Sequence, residues 1–307
     1  MLDSTTEPGI GLGIDAGGTQ TRWALAAPDG AILAEGTLAG LSALQMSTPE
    51  GRASVQATFA LLAQAVLAHA QPDRVRAGLT GFGGDGGQLT RWLAGLLGIA
   101  PASIVMCNDI DIAYRASFTP GAGYLVYAGT GSIGAFIDGD GRFHRAGGRG
   151  VVLDDGGGGF WIAREALRRI WRLEDEAPGS WERSPMARAV FDHVGGSAWA
   201  CSRQFIYGKE RGEIGQLALA VAASAAHDPA AAAILDEAGR ELGRLASALI
   251  RRFGPRPVVL SGRAAALHPS IAASMRASLA PDCILTQSAM RAHHAAARLA
   301  AAGAATP

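Results

Sequence analysis

Lysine is nearly missing from this sequence: Lys209, in YGKE, is the one lysine in 307 residues. A phosphate loop of the GxxxxGK[ST] kind is therefore excluded, as is the strand lysine of protein kinases, so any nucleoside triphosphate must be held without a lysine grip. Cysteine is scarce too. Cys107, Cys201 and Cys283 are an odd number, far apart and without CxxC spacing, which writes no zinc or cluster motif and reads as reduced structural thiols. Charge imbalance is absent, with 27 basic against 27 acidic side chains, and no basic stripe with interleaved aromatics offers itself to nucleic acid. No run approaches the roughly 20 uninterrupted apolar residues of a membrane span. The opening MLDSTTEPGI has no cationic start followed by an apolar stretch. A soluble, cytoplasmic protein with a small-molecule partner is the expectation.

What the chain has in quantity is apolar surface, 49 % of its residues, and glycine, 42 of them. That length can bury a large core and suggests about two domains. The glycines fall in patterned places. In GLGIDAGGTQTRWALAAPDG, residues 11–30, an apolar alternation precedes Asp15, Gly17, Gly18 and Thr19, and a second strand pattern resumes at Thr21. Turn chemistry alone can explain a Gly-rich hairpin bend. The alternative is that backbone free of side chains lets N–H groups approach an anion, with Thr19 and Thr21 as hydroxyl donors and Asp15 ready for a metal ion that the anion carries.

Strand signals at 10–15, 21–27 and 31–36 lead to a helix with Val55, Phe59, Leu62 and Val66 on one face. A strand at 74–79 runs into TGFGGDGG, a helix covers 87–98, and a strand at 103–106 ends at Asn108 and Asp109 before a helix to about residue 118. Then the pattern restarts. YLVYAGTGSIGAFIDGDGRFH offers strand, glycine bend, strand, turn and strand; helices dominate from Gly159, the strongest at 229–253 behind Asp228 and Pro229; strands return at 257–261 and 282–285, each followed by a helix. The expected division is residues 1–118 and 119–307, with the last helix free to pack back on the first domain.

Two stretches match GxGxxG by letter, 81–86 and 129–134. The second continues as strand and turn instead of a helix, and the first lacks an acid about 20 residues on, so a dinucleotide fold is set aside. Asp109 reads as a helix N-cap or, at the C-terminal end of a strand, as a base that takes a proton from an alcohol; Asp111 is the competitor. Of Asp154 and Asp155, before four glycines, one is expected to reach a ligand. His293 and His294 project about 100° apart on a helix and are expected on the surface, sharing no metal. The single Trp and Met residues read as core.

These segments resemble the BadF/BadG/BcrA/BcrD-type ATPase family and, within it, the N-acetylglucosamine kinase-like sugar kinases. GIDAGGTQT is similar to the family's first phosphate motif, CNDIDIAYRA to its catalytic-aspartate segment, YAGTGSIG to its second phosphate motif, GGRGVVLDDGGGGFWIAREAL to its sugar and hinge segment, and VVLSGRAAAL to its adenosine motif. The duplicated plan is that of the actin, Hsp70 and sugar-kinase class. It implies an α/β fold of two ribonuclease H-like (actin-like) domains flanking a nucleotide cleft.

The resemblance also implies ATP-dependent phosphorylation of an amino sugar, N-acetylglucosamine or glucosamine, at its 6-hydroxyl, with ATP and Mg²⁺ as cofactors. Asp15 would organise the metal. Gly17, Gly18, Thr19, Thr21, Gly129, Thr130, Gly131 and Ser132 would hold phosphates, Ile214, Gly215 and Gly262 the adenosine, Gly148, Arg149, Gly150 and Asp155 the sugar, and Asp109 would be the base. A valine at Gly131 is expected to exclude the triphosphate while the protein stays folded. The family shows GGWG and GDEGS where this chain has GGRG and DDGGG, and Leu44, beside Gln45, stands where its sugar loop carries asparagine. Three alternatives stay open: a kinase for another hexose, an ATPase that activates a partner reductase through a cysteine-held cluster, and a sugar-sensing regulator. The regulator would add a DNA-binding segment that the residues before Ile10 are not expected to hold. The sugar and ATP are the expected partners, with neither nucleic acid nor membrane, and a homodimer is left open.

Overall fold

A computed structural model describes residues 8–303, so the leader and DNA-binding readings of residues 1–7 lie outside the described residues. The opening alternation forms an antiparallel meander of β1 (Gly11–Ala16), β2 (Gln20–Ala26) and β3 (Ile32–Ala39). Helix α1 (Pro49–Leu67) follows, with the Thr48 side chain accepting the Gly51 N–H and Pro49 in the first turn, and it buries Val55, Phe59, Leu62 and Val66 as their spacing predicts. β4 (Arg74–Leu79), α2 (Gly87–Leu97), β5 (Ile104–Asn108) and α3 (Asp109–Arg115) complete the pattern. β4 lies parallel to β1, and β5 parallel to β4, giving the order β3-β2-β1-β4-β5. β5 runs two residues past the expected 103–106, because Cys107 and Asn108 pair with Gly78 and Leu79.

The second half repeats this plan. β6 (Tyr124–Ala128), β7 (Ser132–Ile137) and β8 (Phe143–Gly147) form a meander. The helices α4 (Gly159–Glu176), α5 (Pro185–Val194), α6 (Trp199–Gly208), α7 (Arg211–Gln216), α8 (Ala218–Ser224) and α9 (Pro229–Phe253) come next. β9 (Val258–Ser261), α10 (Pro269–Ala277), β10 (Leu285–Gln287) and α11 (Ala292–Ala301) end the described chain. The second sheet has the order β8-β7-β6-β9-β10, the order of the first. β10 begins three residues after the expected 282–285 because its partners are Val258, Val259 and Leu260. One carboxylate fixes two helix starts: Asp228 Oδ1 accepts from Ala230 and Ala231, and Oδ2 from the Ser184 hydroxyl and Met186 N–H. No single helix among the described residues is long and apolar enough to cross a membrane.

The chain divides into two compact units, one of residues up to 120 with 139–141 and 290 onward, the other of 121–138 and 142–289. Helix α11 belongs to the first unit, and two glycines of β1 let it approach. A Cβ on Gly13 would fall 2.1 Å from the His293 carbonyl oxygen and 2.2 Å from Ala297 N, and one on Gly11 2.2 Å from Ala297 O and Ala301 N. Those are backbone atoms, so relief requires the helix to move. Replacing Gly13 with valine is expected to cost about 1–3 kcal/mol or more, read as a lower denaturation midpoint. A midpoint equal to the parent's would show that this contact does not hold α11.

Two expectations are corrected here. His293 is 6 % exposed, and both it and His294 turn onto the Glu35 carboxylate of β3, although they are neighbours on a helix. They occupy its first turn, against the sheet, with ring centroids 4.5 Å apart. Among the tryptophans, Trp199 is 52 % exposed and meets Trp171 edge-on instead of entering the core.

Candidate active site

In the first unit, β1, β4 and β5 end side by side. Asp15 of β1 is the register partner of Gly78 on β4, where a Cβ would lie 2.7 Å from the Ile112 side chain and 3.1 Å from the Asp109 Cα. A glycine there lets the first turn of α3 settle over the sheet and brings Asp109 towards Asp15. Asn108, not Asp109, caps α3: its Oδ1 accepts the Ile110 N–H at 2.9 Å, and its amide donates to Phe82 O. The cap reading of Asp109 is thereby corrected, although Asp109 Oδ1 shares the Ile110 N–H.

Asp109 instead accepts a hydrogen bond from the Thr80 hydroxyl. Thr80 is itself held in place, donating its N–H to Ala16 O and accepting at its carbonyl from Ala43 N–H and the Ser42 hydroxyl. The sequence reading passed over Thr80; the one signal was its place directly after a strand whose parallel neighbours carry Asp15 one residue before the end of β1 and Asp109 directly after the end of β5. Burial, and then the negative charge of Asp109, pushes the Asp15 carboxyl up to about 6, against the pull of Arg22. Burial also raises the Asp109 carboxyl, partly offset by the Thr80 and Ile110 donors. Asp111 faces elsewhere, paired with Arg115 at 2.9 Å and Arg76 at 3.9 Å.

Gly18 and Thr19 are exposed in the β1–β2 bend, and Gly17 closes it with a 3.0 Å bond to Gln20 O. Thr21 does not join them. It is 1 % exposed on the inward side of β2, and its hydroxyl is enclosed without a partner. The Gln45 side-chain carbonyl accepts the Ser42 N–H in its own turn, while Leu44 is 61 % exposed.

The second unit gathers the other predicted residues around the β6–β7 bend. The first amides of α4 reach back to it, Gly159 N to Gly129 O and Phe160 N to Thr130 O. The Ser132 hydroxyl donates to Gly156 O at 2.6 Å. Asp155 has φ 57°, the one positive φ outside glycine among the described residues, and is buried with Oδ1 accepting the Gly150 N–H. Such strain concentrates at binding sites. Burial raises its carboxyl, offset by backbone donors at Gly150 and Arg149. Asp154 diverges to Arg244 at 3.0 Å, so the two adjacent carboxylates part as expected. Gly148 and Gly150 flank the exposed Arg149. Ile214 is buried beneath Gly215, which lies beside Thr130 and Phe160, and Gly262, at φ 103°, leaves room for the Ala128 carbonyl.

Gly131 and Gly18 now differ as tests of anion approach. A Cβ on Gly131 would lie 2.3 Å from Asp155 Oδ2, so valine there disturbs a carboxylate as well as any phosphate. A Cβ on Gly18 meets nothing within 4 Å. The Gly18→Val protein is expected to keep its melting temperature and lose nucleotide affinity by calorimetry. Unchanged affinity would remove this bend from the site.

A model of the BadF/BadG/BcrA/BcrD ATPase family matches residues 12–275. The chain belongs to this family. Among curated protein sequences none matches. This BadF/BadG-family ATPase resembles the crystal structure of a presumed N-acetylglucosamine kinase from Chromobacterium violaceum at 27 % identity and TM-score 0.68, covering 96 % of this chain and 99 % of that one. A second presumed N-acetylglucosamine kinase, from Porphyromonas gingivalis, shares 18 % identity at TM-score 0.74 over 92 % and 96 % of the chains. A ROK family glucokinase from Streptomyces griseus, solved with glucose and AMPPNP, shares 19 % identity at TM-score 0.61 over 97 % and 99 %. The last two likenesses establish the fold: the two-sheet α/β architecture of actin-like sugar kinases.

Proposed function

We propose that this ATPase-family protein is a sugar kinase that transfers the γ-phosphoryl group of ATP to an amino sugar, N-acetylglucosamine or glucosamine, at the 6-hydroxyl. The observation that carries the reading is Asp109: a half-buried carboxylate at the C-terminal end of a parallel strand, oriented by Thr80 and with a raised pKa. A raised pKa makes it a stronger acceptor for the proton that leaves an attacking alcohol. The sugar oxygen bonds to the γ-phosphorus as its proton passes to Asp109, the bond to the bridging oxygen breaks, and ADP departs. Such a reaction depends on positioning and charge neutralisation more than on covalent chemistry.

Asp15 fits a hard dication. Its carboxylate lies near a second carboxylate and its pKa is pushed up, a repulsion that a bound cation relieves, and oxygen donors suit Mg²⁺. Asp15 would hold Mg²⁺, which supplies charge neutralisation at the phosphates when bound. The Gly17–Gly18–Thr19 and Gly129–Thr130–Gly131 bends present backbone N–H groups for phosphate oxygens. Asp155 and the Gly148–Gly150 turn are assigned to the sugar, and the 27 % identical Chromobacterium protein supports an amino sugar.

The reductase-activating alternative asks for cysteines that can ligate a cluster. Cys107 is half-buried, its thiol is pushed up to about 12 by desolvation and then by the Asp111 charge, and it donates to Ala77 O, which weighs against a thiolate there. A coupled ADP-release assay across hexoses and hexosamines tests the reading, with the fastest turnover expected on N-acetylglucosamine or glucosamine. ADP release at the same rate without any sugar would overturn it.

A further inference from the structure

Apart from the residues assigned above, one set of metal-ligating side chains comes together among the described residues: Glu35 of β3 with His293 and His294 of α11, their ligand atoms within 4.8 Å of one another. His293 is the informative member. Its ring is buried, 6 % exposed, yet Nδ1 has no hydrogen-bond partner and Nε2 stops 3.6 Å from Glu35 Oε2. That separation exceeds a hydrogen bond. Donors about 2.0–2.2 Å from one tetrahedral ion stand roughly 3.3–3.6 Å apart, which is the spacing of these two atoms. His294 Nε2 is hydrogen-bonded to the same carboxylate oxygen, a contact that an ion between them would replace.

We propose that Glu35 Oε2, His293 Nε2 and His294 Nε2 form a binding site for a zinc-class transition-metal dication, with water as the fourth ligand. Two imidazoles and a carboxylate are donors that such ions take, whereas Mg²⁺ prefers oxygen alone, so this site differs in chemistry from Asp15. Arg291 donates to both Glu35 oxygens at 3.3 Å. With Oε2 on the ion, it keeps Oε1, as outer partners of ligating carboxylates do. Glu35 is 47 % exposed, which leaves the ion open to solvent and exchangeable. The ion joins β3 to the first turn of α11 across 259 residues of chain, so occupancy favours the folded state by mass action.

The test uses the full-length protein, stripped with chelator and titrated with Zn²⁺ and with Co²⁺ in excess Mg²⁺. One equivalent is expected to bind, the melting temperature to rise, and the Co²⁺ form to gain the intense visible absorption of a tetrahedral site. Glu35→Gln and His294→Ala should each weaken binding at least about tenfold while keeping the circular dichroism of the parent. His227→Ala, at an exposed position in the second unit, should leave it unchanged. No tight equivalent, a melting temperature that Zn²⁺ does not move, or binding that survives both substitutions overturns the proposal and leaves Glu35 an ion-pair partner of Arg291 and His294.

Discussion

The Asp109→Asn protein is expected to turn over about 10²–10⁴-fold more slowly than the parent, the usual loss when a general base is removed. The structure makes this substitution cleaner than the sequence suggested, since Asn108 already caps α3 and the Ile110 N–H keeps that acceptor. Thr80 can donate equally to the carbonyl of an asparagine. Replacing a half-buried carboxylate whose pKa desolvation has raised also removes a charge that the folded state disfavours, so the melting temperature should not fall. Nucleotide affinity by calorimetry should be retained. Full sugar-dependent ADP release with asparagine at 109 would remove this residue from the chemistry. Asp111→Asn is the control: it breaks the pairs to Arg115 and Arg76 and should lower stability more than the chemical step.

The second large effect is expected at Asp15. Asp15→Asn should reduce turnover by roughly 10²–10³-fold, the range seen when one electrostatic stabiliser is lost, and raise the Mg²⁺ concentration needed for half-maximal rate. Its stability should move the other way. The folded carboxyl titrates near 6 against an ordinary 3.8, so the folded state binds this proton more tightly than the unfolded chain. The resulting stabilisation is fully present below about pH 4 and is lost as pH rises through 6, to a total of about 3 kcal/mol at one pKa unit per 1.36 kcal/mol. Metal-free parent protein should therefore lose stability from pH 4 to 6 more steeply than Asp15→Asn, and at pH 7.5 the variant should denature at equal or higher urea. Parallel pH profiles would show that Asp15 is not strained by burial, and wild-type turnover in the variant would show that it is not part of the reaction.

The elements that sequence alone located share a local cause. Helix α9 falls on the expected 229–253 because Asp228 caps it, Pro229 occupies its first turn, and Ile234, Leu235, Leu242, Leu245 and Leu249 are buried along one stripe. The strand at 74–79 has the expected bounds because its Arg-Val-Arg-Ala-Gly-Leu segment is closed by Thr80 and Gly81. β5 and β10 were misplaced by two or three residues because their ends are set by the partner strand and not by their own pattern. Asp15, Asp109 and the two glycine bends were legible as residues, since strand, glycine and carboxylate stand in a recognisable order.

Their neighbours were not legible. Thr80 meets Asp109 across 29 residues and His294 meets Glu35 across 259, and only the sheet order β3-β2-β1-β4-β5 brings those positions together. Strand alternation turned Thr21 inward, away from the bend it follows. A left-handed backbone at Asp155 folded that carboxylate back onto Gly150 while Asp154 went to Arg244. Sequence thus determined the class of elements, their duplication and the chemistry on offer, because periodicity, capping and turn preference act within a few residues. Tertiary structure decided which polar groups touch and which are buried, because both depend on chain segments whose separation no local pattern records.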